Sequence, residues 1–252
     1  MPACPLNAFF STAQRARYLG AIPHRYSCRS FAEPLDISHI SALSYAAQRV
    51  CLPGVRIVIA ECRDDLFFGL PIVGRIKGMT RCAYIIANME EKHAALHAGI
   101  SGEAFILEAA AMNVGTCWVS GSYRRSAADV ELHENEKILA VTPLGLPRED
   151  ALPPQRSRKQ LKQICLEDPT AWPLWAYHAA EAVRAAPSAV NMQPWRLHYA
   201  GHALQLLTNG KTNTLDLGIA MLHMEAAMEG RKHLWEWGEG KTVAHLIVEE
   251  NE

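Results

Sequence analysis

The hydrophobic pattern alternates between helical and strand spacing in the first part of the chain. Residues 35–50 place apolar side chains three and four positions apart, and Asp36 or Ser38 supplies an N-cap, which predicts a helix. A Pro-Gly pair then precedes residues 55–60, VRIVIA, a β-branched run typical of a buried strand. Residues 82–89 predict a second strand. The mixture of both spacings indicates an α+β fold.

Further elements follow in the same style. Residues 102–115 predict a buried helix, because GEAFILEAAAMNVG is apolar on nearly every face and ends in glycine. The TCWVSG run behind it predicts a strand or a loop, and residues 137–147 predict another strand that stops at glycine and proline. Residues 147–162 combine prolines with a basic cluster, which we interpret as a linker or arm.

After this arm the same order of elements begins again. Residues 46–60 align with residues 179–200, since both contain a helix end, a proline turn and a strand, with a longer loop in the second copy. Residues 102–112 align with residues 218–228 at a constant offset. Two alanine-rich helices can look alike by chance. Two matches in the same order nevertheless favour a duplication.

Composition narrows the classes of function. With 49% hydrophobic and 20% charged residues, the chain has the composition of a globular protein. Its net charge of -1 provides no overall electrostatic attraction for nucleic acid or for an anionic membrane. The seven cysteines are scattered, as in reduced thiols, and no export signal is evident, so we expect a cytoplasmic protein. His93 and His97 lack a third ligand, so we predict no metal site and expect a solvated helix face.

Two segments carry residues suited to an anion and a heterocycle. Arg25, Ser27 and Arg29 alternate in HRYSCRSF, so an extended backbone directs two guanidiniums and a hydroxyl to one side, where they suit a phosphate. A polar strand edge has the same pattern. Residues 186–195, APSAVNMQPW, form a proline-stiffened loop whose amides and hydroxyl suit the polar edge of a planar ring. A simple capped connection is the alternative.

Two more segments are candidates. Residues 114–121, VGTCWVSG, bring small residues and Trp118 to the end of a buried helix, which suits a planar ring, although a core tryptophan is commoner there. Arg156, Arg158 and Lys159 form a basic run. Such a run is usually a solvated face, and only a partner phosphate makes it a site.

In combination, these segments resemble the FMN-dependent nitroreductase family. The resemblance rests on R-x-S-x-R, A-P-S-x-x-N-x-Q-P-W, an alanine-rich helix before G-T-C-W, a P-L-G-x-P strand end and a later R-x-R, and it covers nearly all of residues 20–230. The order of motifs differs from the family, where the P-S-x-x-N-x-Q-P-W loop follows soon after R-x-S-x-R. Here the arginine motif lies in the first half and the loop in the second.

The resemblance implies an α+β nitroreductase-like fold in which two related halves, residues 1–162 and 163–252, imitate the family homodimer. Family members bind FMN at the dimer interface, with the arginine motif from one subunit and the loop from the other. One FMN per chain and a second, inactive pseudo-site are therefore implied. A monomer is the expected state, with further self-association left open.

The resemblance also implies an activity. The chain would use NADH or NADPH to reduce nitroaromatics, quinones or similar electron-poor small molecules, without a nucleic-acid or membrane partner. A flavoenzyme that reacts with oxygen or halogenated substrates, a flavin-binding sensor and a flavin-free pseudoenzyme are the alternatives. No side chain is implied as a covalent catalyst, because the flavin carries the hydride.

The flavin-binding residues that the motifs imply fall into four groups. They are Arg25, Ser27 and Arg29 on the phosphate and ribityl side; Arg156 and Arg158 as further phosphate partners; Pro187, Ser188, Ala189 and Asn191 from the loop; and Thr116, Cys117 and Trp118, whose backbone would lie near the reactive side of the ring.

Overall fold

The computed structural model describes residues 3–69, 75–149, 157–210 and 214–249. Its helices are α1 (Thr12–Ala21), α2 (Ile37–Arg49), α3 (Ala94–Ala111), α4 (Leu161–Ile164), α5 (Leu174–Ala185) and α6 (Thr214–Ala226). Its strands are β1 (Phe31–Glu33), β2 (Val55–Glu61), β3 (Arg81–Asn88), β4 (Glu136–Leu144), β5 (Leu146–Pro147), β6 (Trp195–Ala200), β7 (Ala203–Thr208), β8 (His233–Trp237) and β9 (Thr242–Val248). None of these helices is both long and apolar enough to cross a membrane.

The chain divides into two compact units. The internal unit is His24–Gln155, and the terminal unit joins Met1–Pro23 to Arg156–Glu252. The N-terminal segment thus belongs with the C-terminal part of the chain, whereas the division after residue 162 grouped it with the first half. The reason is that α1 packs on α6 and places Arg15 against Glu225 of that helix.

The internal unit is built on a three-stranded antiparallel sheet in the order β2-β3-β4. Its central strand, β3, is buried from residue 82 to residue 87, which explains its continuous apolar run. Helices α2 and α3 pack against this sheet, and a second core forms around Tyr84, Val119 and Val141. The predicted strands at residues 55–60 and 82–89 are confirmed. The strand predicted at residues 137–147 is divided at Gly145 into β4 and β5, and β5 pairs with β1 in a separate sheet.

Both predicted helices of this unit are present, although one boundary was wrong. Asp36 caps α2 by accepting the N–H of His39 at 2.8 Å. Helix α3 begins at Ala94, well before the predicted start, because residues 94–101 continue the apolar pattern. It ends at Ala111, where Asn113 adopts the left-handed φ of 59° that glycine at 115 was expected to supply.

The histidines before and within α3 do not form a solvated face. His97 is 3% exposed, and its Nδ1 lies 3.0 Å from the carbonyl oxygen of Pro53. That expectation was wrong, because the helix is apolar on all sides and is buried on all sides. Within the described ranges, no three histidine, cysteine or acidic side chains cluster as ligands for a metal ion.

The terminal unit repeats this order of elements. Its antiparallel sheet has the order β6-β7-β9-β8, and α1, α5 and α6 pack together beside it. The succession α5-β6-β7-α6-β8-β9 follows the order α2-β2-β3-α3-β4 of the internal unit, with β8 as an additional strand at the edge of the sheet. In each sheet, β3 or β7 lies between two of the matched strands. The aligned segments of the sequence therefore fold into equivalent elements.

Candidate functional site

The arginine motif and the G-T-C-W segment meet in the internal unit. Ser27 and Thr116 form a parallel β-bridge, and the N–H of Cys28 donates to the carbonyl oxygen of Thr116 at 2.8 Å. The approach depends on Gly115, where a Cβ atom would lie 2.8 Å from Sγ of Cys28. Two of the four candidate segments are thus held side by side, although they are far apart in sequence.

The close approach at Gly115 gives a testable prediction. We expect Gly115→Ala to lower the free energy of unfolding by about 1–3 kcal/mol, because the added methyl group overpacks the space beside Cys28. Gly121→Ala is the matched control, since a Cβ there meets no atom within 4 Å, and its effect should stay within about 0.5 kcal/mol. Chemical denaturation measures both values. Equal stabilities of the two variants would contradict this packing.

A buried carboxylate connects the same two segments. Glu103 of α3 has a fully buried side chain, and its Oε2 accepts the indole N–H of Trp118 at 2.6 Å. Its Oε1 lies 3.6 Å from Nε of Arg25, whose side chain is only 6% exposed. Gly102 leaves room for the indole, since a Cβ there would lie 2.4 Å from the ring. Sequence reasoning missed Glu103, although an acidic residue in a wholly apolar helix was a usable signal.

The two arginines of the arginine motif differ in their hydrogen bonds. Nη1 of Arg29 donates to the carbonyl oxygen of Ser27 at 3.3 Å. The buried Nε of Arg25, by contrast, has no hydrogen-bond partner among the described residues. A buried donor without a partner costs about 1–3 kcal/mol, which an anionic oxygen would offset. This orphaned N–H therefore fits the phosphate of a flavin nucleotide.

A small pocket borders Arg25. Its volume is about 40 Å³, which suits water molecules or a small anion and falls far below the roughly 300 Å³ of the smaller cofactor sites. The lining residues all belong to the internal unit: His24, Arg25, Tyr26, Ala110, Asn113, Val114, Gly115, Thr116 and Pro147. The pocket alone does not accommodate a flavin ring.

The backbone of the G-T-C-W segment is largely occupied by the fold. The carbonyl oxygen of Thr116 accepts from Cys28, and the N–H of Cys117 donates to Oγ1 of Thr142 at 3.0 Å. Thr116 and Cys117 are buried, while Trp118 is half-buried. Burial also raises the pKa of the Cys28 thiol, which keeps it protonated at neutral pH. The flavin-contacting role of this segment stays a prediction.

The other two candidate segments meet in the terminal unit. Nη1 of Arg158 donates to Oδ1 of Asn191 at 2.6 Å, and Nδ2 of Asn191 donates to the carbonyl oxygen of Ser157 at 2.9 Å. The structure thus places Arg158 against the loop rather than on a solvated face. Arg156, the other predicted phosphate partner of this run, lies outside the described residues.

Lys159 adds three further hydrogen bonds to the loop. Its backbone N–H donates to Oε1 of Gln193 at 2.9 Å, and its Nζ donates to the carbonyl oxygens of Met192 and Gln193 at 2.8 and 3.0 Å. Burial lowers the pKa of Lys159, and the nearby charge of Arg196 lowers it further. Sequence reasoning placed Lys159 in the basic run but assigned it no role.

These bonds hold the loop in a strained conformation. Val190, Asn191 and Gln193 have φ angles of 42°, 60° and 48°, which is the left-handed region. The strain is greatest at Val190, because β-branched side chains avoid this region, and its side chain is also 70% exposed. Oγ of Ser188 accepts the N–H of Gln193 at 2.8 Å and closes the turn. Strained, well-anchored loops are common at binding sites.

A buried carboxylate fixes the start of the loop. The backbone N–H of Ala189 donates to both carboxylate oxygens of Asp216, at 3.1 and 3.2 Å. Asp216 is 4% exposed, and burial raises its pKa to about 6, although the bond from Ala189 opposes the shift. Pro187 is buried beside Ser188 at the loop's beginning.

The raised pKa of Asp216 predicts a pH effect on stability. A carboxyl whose folded pKa exceeds its unfolded value of 3.8 binds more protons in the folded state, so its contribution to stability falls as pH rises from about 4 to about 6. Asp216→Asn keeps an acceptor for Ala189 and removes the buried charge. We expect it to unfold at a higher temperature than wild type above pH 6, with a gain in the free energy of unfolding of up to about 3 kcal/mol that vanishes near pH 4. Thermal melts across this range measure the gain, and a gain independent of pH would contradict the assignment.

Comparison with solved structures confirms the predicted α+β fold. A putative nitroreductase from Thermotoga maritima MSB8 matches 92% of this chain and 93% of its own, with 21% identity and a TM-score of 0.67. A nitroreductase with bound FMN from Bacteroides fragilis NCTC 9343 matches 56% of this chain and 94% of its own, with 14% identity and a TM-score of 0.43. A putative nitroreductase in complex with FMN from Desulfovibrio desulfuricans matches 60% of this chain and 96% of its own, with 18% identity and a TM-score of 0.46. No curated protein matches the chain.

The sequence also matches a family profile. The family is described as "Putative TM nitroreductase", and the match runs from residue 18 to residue 228. That range includes the arginine motif, the G-T-C-W segment and the P-S-x-x-N loop, so all the described candidate segments lie within it. Because the match spans most of its length, this chain belongs to the nitroreductase family.

Proposed function

We propose that the chain is an FMN-dependent oxidoreductase that uses NADH or NADPH to reduce nitroaromatics, quinones or similar electron-poor molecules. The observation that carries the proposal is the buried Nε of Arg25, which has no hydrogen-bond partner among the described residues and belongs to the motif that resembles the family's phosphate-binding motif. Membership of the nitroreductase family supports it further. Bound FMN would supply the hydride and electron transfer between the nicotinamide and the acceptor.

The residues of the chain have positioning roles in this proposal. Arg25, Ser27 and Arg29 bind the phosphate and ribityl side through charge-assisted hydrogen bonds. The loop that contains Ser188 and Asn191 contacts the flavin and is anchored in advance, which limits the ordering entropy that binding would otherwise cost. Arg29, a permanent cation, stabilises negative charge on the reduced ring.

The proposal also covers stoichiometry and assembly. Apart from β8, the order α5-β6-β7-α6-β9 follows the order α2-β2-β3-α3-β4, which supports a duplication. R-x-S-x-R occurs once in the chain, in the internal unit, and P-S-x-x-N-x-Q-P-W occurs once, in the terminal unit. We therefore propose one FMN per chain and a monomer in solution.

Flavin loading tests this proposal. The purified protein is mixed with excess FMN, the free flavin is removed, and the absorbance of the retained flavin is compared with the protein concentration. We expect one FMN per chain, with the mass of a monomer by light scattering. Two flavins per chain would contradict the inactive pseudo-site, and complete loss of flavin would contradict the function.

A further inference from the structure

We propose that Glu103 is the internal counter-ion of Arg25, and that its charge limits how tightly the chain holds the flavin phosphate. The inference rests on the proposed function, because that function assigns Arg25 to the phosphate. It concerns a residue that no motif marked. Its consequence is that the same charge stabilises the flavin-free protein and weakens the binding of FMN.

The first step is burial. The side chain of Arg25 is 6% exposed and that of Glu103 is completely buried. A guanidinium always carries its charge, and a buried charge requires a nearby opposite charge. At 3.6 Å from Nε of Arg25, the Glu103 carboxylate provides it. Without flavin, the folded internal unit therefore depends on Glu103.

The second step is geometry. Oε2 of Glu103 is held by the indole of Trp118 at 2.6 Å, whereas Oε1 stops beyond hydrogen-bond distance from Nε of Arg25. Glu103 thus neutralises Arg25 without satisfying its buried donor. A phosphate group bound in the pocket that Arg25 lines would lie close to a second negative charge. At this range the repulsion between the phosphate and the carboxylate lowers affinity.

A removed charge should therefore have two opposite effects. Glu103→Gln keeps the size of the side chain and an acceptor for Trp118, and it removes the carboxylate that lies beside Arg25. The flavin-free variant becomes less stable, while a phosphate group now both neutralises Arg25 and meets no repulsion. Arg25 also lines the small pocket, where a phosphate would approach it.

The chain provides a matched control in its terminal unit. Glu225 is likewise buried, 3.3 Å from Nη1 of Arg15 and bonded at 2.7 Å to the indole of Trp235. Neither Arg15 nor Trp235 belongs to a candidate segment. Glu225→Gln should therefore lower stability in the same way as Glu103→Gln without changing the response to flavin.

The experiment compares wild type, Glu103→Gln and Glu225→Gln by thermal unfolding and by titration with FMN and with riboflavin, which lacks the phosphate. We expect both variants to melt below wild type without ligand. For Glu103→Gln alone, we expect the ratio of FMN to riboflavin affinity to rise about tenfold, with riboflavin affinity unchanged and a larger FMN-induced increase in Tm. An unchanged or smaller ratio would overturn the proposal, as would an equal rise for riboflavin.

Two further arms keep the outcome decisive. If Glu103→Gln folds only with ligand, FMN or inorganic phosphate should restore folding and riboflavin should not; rescue by riboflavin would overturn the proposal. Glu103→Asp retains the charge and should keep the ratio of FMN to riboflavin affinity within about threefold of the wild-type value.

If wild type binds no flavin, the proposed function fails by itself. The counter-ion is then judged with inorganic phosphate, which should stabilise Glu103→Gln more than wild type and Glu225→Gln, and an equal effect would overturn it.

Discussion

Replacement of Arg25 and Arg29 together by alanine is expected to weaken FMN binding by at least about 100-fold, so that the purified variant is colourless. Each guanidinium contributes charge-assisted hydrogen bonds worth about 1.5–3 kcal/mol to an anionic partner, and 2.7 kcal/mol already corresponds to 100-fold. The two residues belong to the segment that is hydrogen-bonded to Thr116 through Cys28. Fluorescence titration with FMN and riboflavin measures the effect, with the greater loss expected for FMN.

Arg63→Ala is the matched control for this variant. Arg63 is also in the internal unit, but its side chain is 61% exposed and pairs with Asp65. Its removal should leave FMN affinity unchanged. A double variant that remains yellow after free flavin is removed would show that the site assignment is wrong. If neither wild type nor the double variant retains flavin, a flavin-free scaffold is favoured.

The second large effect is expected in the terminal unit, where Glu225→Ala should lower the free energy of unfolding by about 3–5 kcal/mol. The carboxylate of Glu225 holds three partners at once: Nη1 of Arg15 at 3.3 Å, Nε2 of His233 at 2.8 Å and the indole N–H of Trp235 at 2.7 Å. Glu225 is 1% exposed and Arg15 11%, so the truncation leaves a buried cation without its partner. Urea denaturation at constant pH measures the loss.

Glu236→Ala is a suitable control, since Glu236 is exposed on the same strand as Trp235 and should contribute less than about 0.5 kcal/mol.

The stability lost in Glu225→Ala should also depend on pH. Burial lowers the pKa of His233, but its bond to Glu225 outweighs this and leaves the pKa above 6.5. A histidine whose pKa is raised by folding stabilises the folded state at pH values below its unfolded pKa. This stabilisation is lost as the pH rises through the folded pKa. The difference between wild type and Glu225→Ala should therefore shrink on the alkaline side, and a difference that grows there would contradict the cluster.

Local patterns were enough to predict most elements of the fold. The β-branched run at residues 55–60 became β2, and Asp36 caps α2 as its residue type suggested. These features depend on neighbours in sequence, which a pattern contains. The extent of α3 was harder, because a helix buried on all sides has no polar face to mark where it begins.

The internal arrangement of the candidate site depended on contacts between distant residues. No spacing rule brings Ser27 to Thr116, or Arg158 to Asn191, because those pairs form only when the sheets and helices are assembled. Glu103 escaped notice for the same reason: its role is visible only once Arg25 and Trp118 converge on it. The left-handed backbone of Val190 was also hidden, since a β-branched residue is a poor sequence signal for that conformation.

Anaerobic reduction shows most directly whether this member of the nitroreductase family works as the proposed flavin-dependent oxidoreductase. The FMN-loaded protein is mixed with NADH or NADPH in the absence of oxygen, its visible spectrum is followed, and a nitroaromatic or quinone is then added. We expect the oxidised flavin bands to bleach with the nicotinamide and to return with the acceptor. Bands that persist with both nicotinamides would contradict the proposed function and would indicate a flavin-binding protein without this turnover.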